Sequence, residues 1–298
     1  MKTLTILSGK GGVGKSSITA SLAVLLAKKH KVIAVDCDVD APNLALVLGL
    51  KHFKEQKKIS TNEKARLISM KGINPKKLIE ICNFSAISWD SKKKKLIFDR
   101  FLCEGCGSCH LLYPKNIKLE KVQNGFINTG KTVYGFNIVS GQLKIGESGS
   151  GKIVTEVKNK AEENAKKEKA EIIIVDSSPG IGCPVIASIQ GSDYIIAITE
   201  PSPAALNDLQ RVLQVVEHFR IPYGIIINKY DLNRKFSKKI ENFADKYKIP
   251  ILGKIPYDKK FVEALVNLKP IVVYEKNFEK LFLSILEKLR SKTLMIRE

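Results

Sequence analysis

The chain has 298 residues, 44% of them apolar, and carries 50 Lys and Arg against 30 Asp and Glu, a formal net charge of +20. That length is about twice a typical domain and ample for a buried core. The apolar residues are spread along it with no run near 18, which excludes a membrane-spanning helix and wholesale disorder. Only seven basic residues are arginine (66, 100, 211, 220, 234, 290, 297), so the excess is almost all lysine. Lysine solvates more than it recognises, and its scatter reads as a charged surface. Lys2 is followed only by Thr3 to Leu7 before a glycine cluster, too short for a secretory signal core, so the expected location is cytoplasmic. Four of the six cysteines (82, 103, 106, 109) fall within 28 residues, which in a reducing compartment favours a metal or cluster site over disulfides.

The first 50 residues open as strand, helix, strand. Thr3 to Leu7 is a short apolar run, Ser16 to Lys29 places Ile18, Leu22, Leu25 and Leu26 at helical spacing, and Val32 to Val35 is a second apolar run. Between the first two lies Gly9-Lys10-Gly11-Gly12-Val13-Gly14-Lys15-Ser16, followed by Ser17: a G-x-x-x-x-G-K-S loop in the strand-to-helix context it requires. Glycines let backbone N–H groups curl around phosphate oxygens, the helix start adds positive potential, Lys15 bridges the β and γ phosphates, and Ser16 offers a hydroxyl to Mg²⁺. Asp36, Asp38 and Asp40 end the second strand, at the edge where parallel sheets place ligands.

From about residue 51 the pattern changes to lysine-rich segments, a cysteine cluster and a glycine-containing stretch that reads as hairpins. It is taken as a module inserted over 58–131, with the nucleotide domain formed by 1–57 and 132–298. Alternation resumes with a charged helix to Lys169, then strands at Ile172 to Val175, Tyr194 to Thr199 and Tyr223 to Asn228, with a helix from Pro203 to Phe219. Strands apolar throughout imply a mostly parallel sheet with helices on both faces. Asp176 closes one such run and opens Asp-Ser-Ser-Pro-Gly, where Asp176 holds Mg²⁺ through water and the Gly180 N–H senses a γ-phosphate. Asn228-Lys229-Tyr230-Asp231 has the N-K-x-D spacing of base readers. Gly146 to Lys152 also fits G-x-x-x-x-G-K, but Ile153 replaces the hydroxyl and no apolar strand precedes it, so it reads as a turn. The last helix, around Phe278 to Leu289, has one apolar face directed at the core.

The second lysine of the phosphate loop, Lys10, gives a G-K-G-G-x-G-K-S form that resembles the deviant phosphate loop of the MinD/ParA/Mrp family of P-loop ATPases. The resemblance covers nearly the whole chain: phosphate loop, two switches and base-reading strand appear in that family's order. It implies a homodimer in the ATP state, in which Lys10 reaches the partner's phosphates, Asp36 belongs to the Mg²⁺ shell with Ser16 and Asp176, Asp38 positions attacking water, and Asn228 reads adenine. The catalytic set is then Lys10, Lys15 and Asp38.

Cys103, Cys106 and Cys109 form C-x-x-C-x-x-C, and Tyr113-Pro114 stands where bacterial ferredoxins have Cys-Pro. In two-cluster ferredoxins the fourth cysteine of each run serves the other cluster. Cys82 sits where an earlier half-repeat would end, and counting back by the same spacing reaches Leu78, Pro75 and Gly72, none a ligand. One cluster's ligands are thus all kept and the other's all missing, as loss of one cluster would leave. The expectation is a small ferredoxin-like α+β module with one 4Fe-4S cluster on Cys82, Cys103, Cys106 and Cys109. Structural zinc on the same thiolates is the alternative. Cys37 lies between the acidic residues that end the second strand, and Cys183, in Gly182-Cys183-Pro184, reads as a small buried residue.

The expected function is an ATP-hydrolysing dimeric switch that couples nucleotide state to the inserted cluster, for electron transfer or for cluster delivery or sensing with an unidentified protein partner. The alternative is a ParA-like positioning ATPase that binds DNA through its lysine surface, with the cysteine module as a clamp.

Overall fold

The computed structural model describes residues 1–292; positions 293–298, the end of the expected nucleotide domain, lie outside the described residues. In chain order the elements are β1 (Lys2–Ser8), α1 (Lys15–Ala27), β2 (Val32–Asp36), α2 (Leu44–Val47), β3 (Glu55–Ile59), β4 (Asn62–Leu67), α3 (Pro75–Glu80), β5 (Ile87–Asp90), β6 (Lys95–Phe98), α4 (Ser108–Leu112), β7 (Ile117–Val122), β8 (Gly125–Lys131) and β9 (Asn137–Leu143). There follow α5 (Ser150–Glu168), β10 (Ile172–Pro179), α6 (Cys183–Ile189), β11 (Tyr194–Thr199), α7 (Pro203–His218), β12 (Tyr223–Asn228), α8 (Arg234–Lys246), β13 (Ile251–Ile255), α9 (Lys260–Val266), α10 (Ile271–Tyr274) and α11 (Asn277–Lys292).

Nine strands form one sheet in the order β13-β12-β11-β1-β10-β2-β9-β8-β3. The six strand pairings from β13 to β9 are all parallel. Parallel neighbours need crossovers, and the helices that supply them cover both faces. Successive strand residues point to opposite sides: Tyr194, Ile196 and Ile198 join a core with α1 and α11, whereas Ile195 and Ala197 join one with Val185, Leu209, Val212 and Ile240 from α6, α7 and α8. The fold is therefore a mostly parallel α/β P-loop fold. Its central strand β1 lies between β10 and β11, which brings the carboxyl ends of β1, β2 and β10 together. Among the described residues no helix is long and apolar enough to cross a membrane.

The chain divides into two units, 1–57 with 127–142 and 150–298, and 58–126 with 143–149. The expected return at 132 is thus displaced: 127–131 belong to β8 within the large sheet, while 143–149 group with the second unit. Single-sequence periodicity does not separate one strand that leaves a module from one that joins a sheet. Beyond the expected elements, the fold adds β13, a five-residue, mostly apolar run between Pro250 and Pro256, and the helix α8 in lysine-rich sequence.

The second unit runs β4-α3-β5-β6-α4-β7. Its outer strands pair antiparallel from Asn62 opposite Val122 to Leu67 opposite Ile117, and its inner strands from Ile87 opposite Phe98 to Asp90 opposite Lys95. Two β-α-β halves thus meet in two separate two-stranded ribbons. The lysine run 92–95 turns the inner hairpin: the Asp90 carboxylate accepts from the Lys92 and Lys93 N–H groups at 3.0 Å. Leu78, Ile87, Leu96, Cys109 and Ile117 make this unit's own core.

Candidate functional site

β1 ends at Ser8 and α1 begins at Lys15, so residues 9–14 form the loop between them with no regular structure. Gly12 and Gly14 hold φ of 78° and 91°, the left-handed region that glycine enters without strain. Gly9 is required for another reason: a Cβ there would lie 2.2 Å from the carbonyl oxygen of Asp208 in α7. A cavity of about 480 Å³ opens over the loop, lined by Ser8, Gly11, Gly12, Gly14, Lys15, Ser16 and Ser17 on one side and by Asp38, Asn43 and Pro179 on the other. Leu46, Val47, Leu265 and Leu268 give it an apolar wall that the sequence did not single out. Val13 is buried beneath the loop.

Lys15 is almost wholly buried and its Nζ donates to Asp176 Oδ1 at 2.8 Å. Burial works against its charge, but Asp176 beside it outweighs burial and raises its pKa above the ordinary lysine value. Thr19, one turn along α1, donates its hydroxyl to the same Oδ1 at 2.9 Å. The Oδ2 of Asp176 is buried with no hydrogen-bond partner. Asp36 accepts from the N–H groups of Leu44 and Asp38, yet burial, with Asp176 nearby, pushes its pKa up to about 8. Two buried carboxylates beside one lysine, one oxygen unpartnered, and the Ser16 hydroxyl on the pocket wall form the hard-oxygen donor set that suits Mg²⁺. Among the described residues no three His, Cys, Asp or Glu side chains are spaced to hold a metal ion by themselves. That is compatible with Mg²⁺, which keeps several waters and takes substrate phosphates as ligands. Asp38 faces the pocket, with its carboxyl raised by partial burial.

Three expected site residues are engaged elsewhere. Lys10 does not line the cavity; its Nζ donates to Glu200 Oε1 at 3.1 Å. The Gly180 N–H donates to the Ser8 carbonyl at 2.9 Å, so its sensing role requires that bond to open. Asn228 is buried, donates from Nδ2 to Val13 O at 2.8 Å and accepts at Oδ1 from the Lys229 N–H. It ties the strand end at β12 to the phosphate loop through Val13. Asp231, the last residue of N-K-x-D, is likewise occupied, accepting from the Tyr257 N–H at 2.7 Å. Cys37 is buried with its thiol pushed up to about 12 by burial, which leaves it inert, whereas Cys183 is exposed rather than buried as expected.

In the second unit, Cys82, Cys103, Cys106 and Cys109 are all free thiols and line one pocket, with Ala65, Phe84 and Phe98 among its other walls. Cys103 and Cys109 are buried, Cys82 is half-buried and Cys106 exposed. Gly105 and Gly107 have φ of 65° and 84°, and a Cβ on Gly105 would strike the Glu63 carbonyl oxygen at 2.0 Å. The Ala65 N–H points at Cys103 Sγ, 3.4 Å away. His110 is engaged with the Ile117 carbonyl at 2.7 Å. Leu78, the counterpart of Cys109 in the first half, is completely buried in the unit's core. Tyr113, in place of the fourth cysteine, packs against that core and accepts at its hydroxyl from the Asn74 N–H.

Comparison with known proteins agrees with the phosphate-loop geometry. Residues 4–271 match the profile of the CobQ/CobB/MinD/ParA nucleotide binding domain. An uncharacterized protein of Methanocaldococcus jannaschii is 36% identical over 265 residues, 89% of this chain and 87% of that one. An iron-sulfur cluster carrier protein of Pyrococcus horikoshii is 24% identical over 97% of this chain and 85% of its own. Among solved structures, the septum site-determining protein MinD of Pyrococcus horikoshii, complexed with Mg-ADP, superposes with a TM-score of 0.60 at 20% identity, covering 100% of this chain and 99% of that one.

Proposed function

Since the chain belongs to the CobQ/CobB/MinD/ParA nucleotide-binding family and is a P-loop ATPase of the MinD/ParA type, we propose that it is an ATP-driven dimeric switch whose second unit carries one 4Fe-4S cluster. The observation that carries the proposal is the convergence of Cys82 from the first β-α-β half with Cys103, Cys106 and Cys109 from the second on one pocket, while the mirror position is filled by Leu78 and Tyr113. The iron-sulfur cluster carrier relative supports the same reading.

In the nucleotide unit, Gly9, Gly11, Gly12, Val13 and Gly14 present backbone N–H groups to the phosphates, with Ser17 at the helix start. Lys15 neutralises the β and γ phosphates, turning from Asp176 toward them. Ser16, Asp36 and Asp176 are the residues that would hold Mg²⁺, which supplies charge neutralisation at the transferred phosphoryl group. Asp38 orients the attacking water from the opposite wall. The Gly180 N–H exchanges Ser8 O for a γ-phosphate oxygen, and that exchange moves the segment leading into α6. In the second unit, the Ala65 N–H and the turn at Gly105 and Gly107 hold Cys103 and Cys106 in place. The cluster supplies one-electron transfer, or is itself passed on to a protein acceptor.

Iron, acid-labile sulfide and zinc per chain after anaerobic purification test the reading. About four iron and four sulfide support it. Stoichiometric zinc without sulfide overturns it and, joined to steeply salt-dependent binding of duplex DNA, leaves the positioning ATPase. Cys82→Ala is expected to lose the iron despite lying 21 residues before Cys103; full iron in that variant would refute the half-repeat.

A further inference from the structure

The two lysines nearest the phosphate loop's outer edge share one acid. Glu200 follows directly on β11, the strand beside β1, and its two oxygens are divided: Oε1 accepts from Lys10 at 3.1 Å and Oε2 from Lys229 at 3.0 Å. Lys229 also donates to the Gly12 carbonyl at 3.2 Å, so it clips the loop to the same carboxylate. Its backbone holds φ of 52°, a region that non-glycine residues enter at a cost and keep where the surroundings insist. The acid's side chain is 18% exposed, against 28% for Lys229 and 43% for Lys10. Burial pushes the Glu200 carboxyl up, but the hydrogen bonds from Lys229 and Lys10 outweigh it, and the net shift is downward, so the acid is ionised at neutral pH. Of the two lysines, Lys10 is the more exposed and has the acid as its one side-chain partner among the described residues, whereas Lys229 holds a second bond. The pair that opens first is therefore Lys10–Glu200.

We propose that Glu200 is a latch for the phosphate loop: it holds Lys10 outside the nucleotide cavity in the single chain and must release it before the ATP-bound dimer forms, while Lys229 stays on the acid and keeps the loop in shape. Glu200 is a positioning residue, since it acts through Lys10 and touches no nucleotide itself. The inference rests on the dimer reading above and deepens it, by naming what opposes dimerisation. Each chain spends the Lys10–Glu200 pair when it dimerises, so removing the acid's charge makes dimerisation easier.

The experiment compares wild type with Glu200→Gln. Sedimentation across a Mg-ATP series gives the concentration at which half the chains are dimeric, and fluorescence gives Mg-ADP affinity of the monomer. The latch predicts that the dimerisation midpoint falls by about three- to fivefold or more in Glu200→Gln, the scale of the two partly exposed ion pairs, one per chain, that the homodimer gives up, with Mg-ADP affinity unchanged. An unchanged midpoint overturns it. So does an equal gain in Mg-ADP affinity, which marks a general field on the pocket rather than a latch on Lys10. Amine-reactive footprinting of Lys10 supplies a readout that does not depend on dimers: the labelling rate is expected to rise severalfold in nucleotide-free Glu200→Gln, and an unchanged rate refutes the latch. A wild type that stays monomeric at every Mg-ATP concentration overturns the dimer reading of the preceding section; the latch is then decided by whether Mg-ATP raises Lys10 labelling in the wild type.

Discussion

Lys15 and Asp176 form a buried ion pair at 2.8 Å, so neither side chain is replaceable alone. Removing one partner of such a pair leaves an uncompensated buried charge and costs about 3–5 kcal/mol. Lys15→Ala is therefore expected to abolish ATP binding and also to lower the melting temperature, whereas Asp38→Ala, half-buried on the cavity wall, is expected to leave both unchanged while turnover falls by about 10²-fold or more. Single-turnover hydrolysis beside equilibrium binding checks this, and equal turnover in Asp38→Ala and wild type removes the water-positioning role. The types and spacing of these residues were legible in the sequence because phosphate chemistry restricts them so tightly. The contact that Asn228 makes was not: its spacing is that of a base reader, and only the structure shows its 2.8 Å bond to Val13 O.

At the scale of elements, the phosphate loop is held by close approaches as much as by hydrogen bonds. Gly9→Ala drives a methyl into the α7 backbone at Asp208 O, 2.2 Å away, where neither rigid element has room to yield. Its expected effect is a loss of nucleotide affinity of about tenfold or more at nearly unchanged global stability, because the loop gives way before the sheet does. Titration with Mg-ADP and a thermal melt separate the two, and wild-type affinity would show that the loop absorbs the methyl. Helix α5 is tied to α6 in the same manner. Gly151 approaches Cys183 at the start of the two helices, and Lys158 donates to the Ala187, Ser188 and Gln190 carbonyls at the end of α6. Helix α6 follows the switch that starts at Asp176, so α5 is packed along the element that the switch would move. The strands and helices of the αβ pattern could be read from apolar runs, whereas α8, in lysine-rich sequence, could not.

The whole molecule comprises two units with separate cores. The second has fifteen Lys and Arg against seven Asp and Glu over 58–126 and 143–149, and buries few large side chains. A unit of this size has a small core and is marginal in stability by itself. Within it, Glu147 is buried beside Lys64 at 2.9 Å, angled so that the contact is an ion pair rather than a hydrogen bond, and Arg100 reaches the other oxygen at 3.3 Å. If the cysteines hold a cluster, anaerobic removal of its iron with a chelator is expected to speed amide hydrogen exchange across residues 62–122 while 2–36 and 172–255 exchange as before. Uniform acceleration along the chain would mean that the two units do not unfold separately, and no change would mean that the group contributes nothing to folding.

The sequence alone determined the phosphate loop, the acidic switches, the parallel αβ alternation and the pairing of Cys82 with the later cysteine run, because each depends on residue types at short, fixed spacings. Only the tertiary structure decided which of those residues share a space. It placed Lys10 on Glu200, Asn228 on the loop backbone, Gly180 on Ser8 and Tyr113 on the Asn74 N–H. Those contacts join residues 39 to 215 positions apart, apart from the switch closure onto β1 they are made by side chains, and no local period encodes such a meeting; it follows from the order in which the strands assemble and from which polar atoms then find a partner.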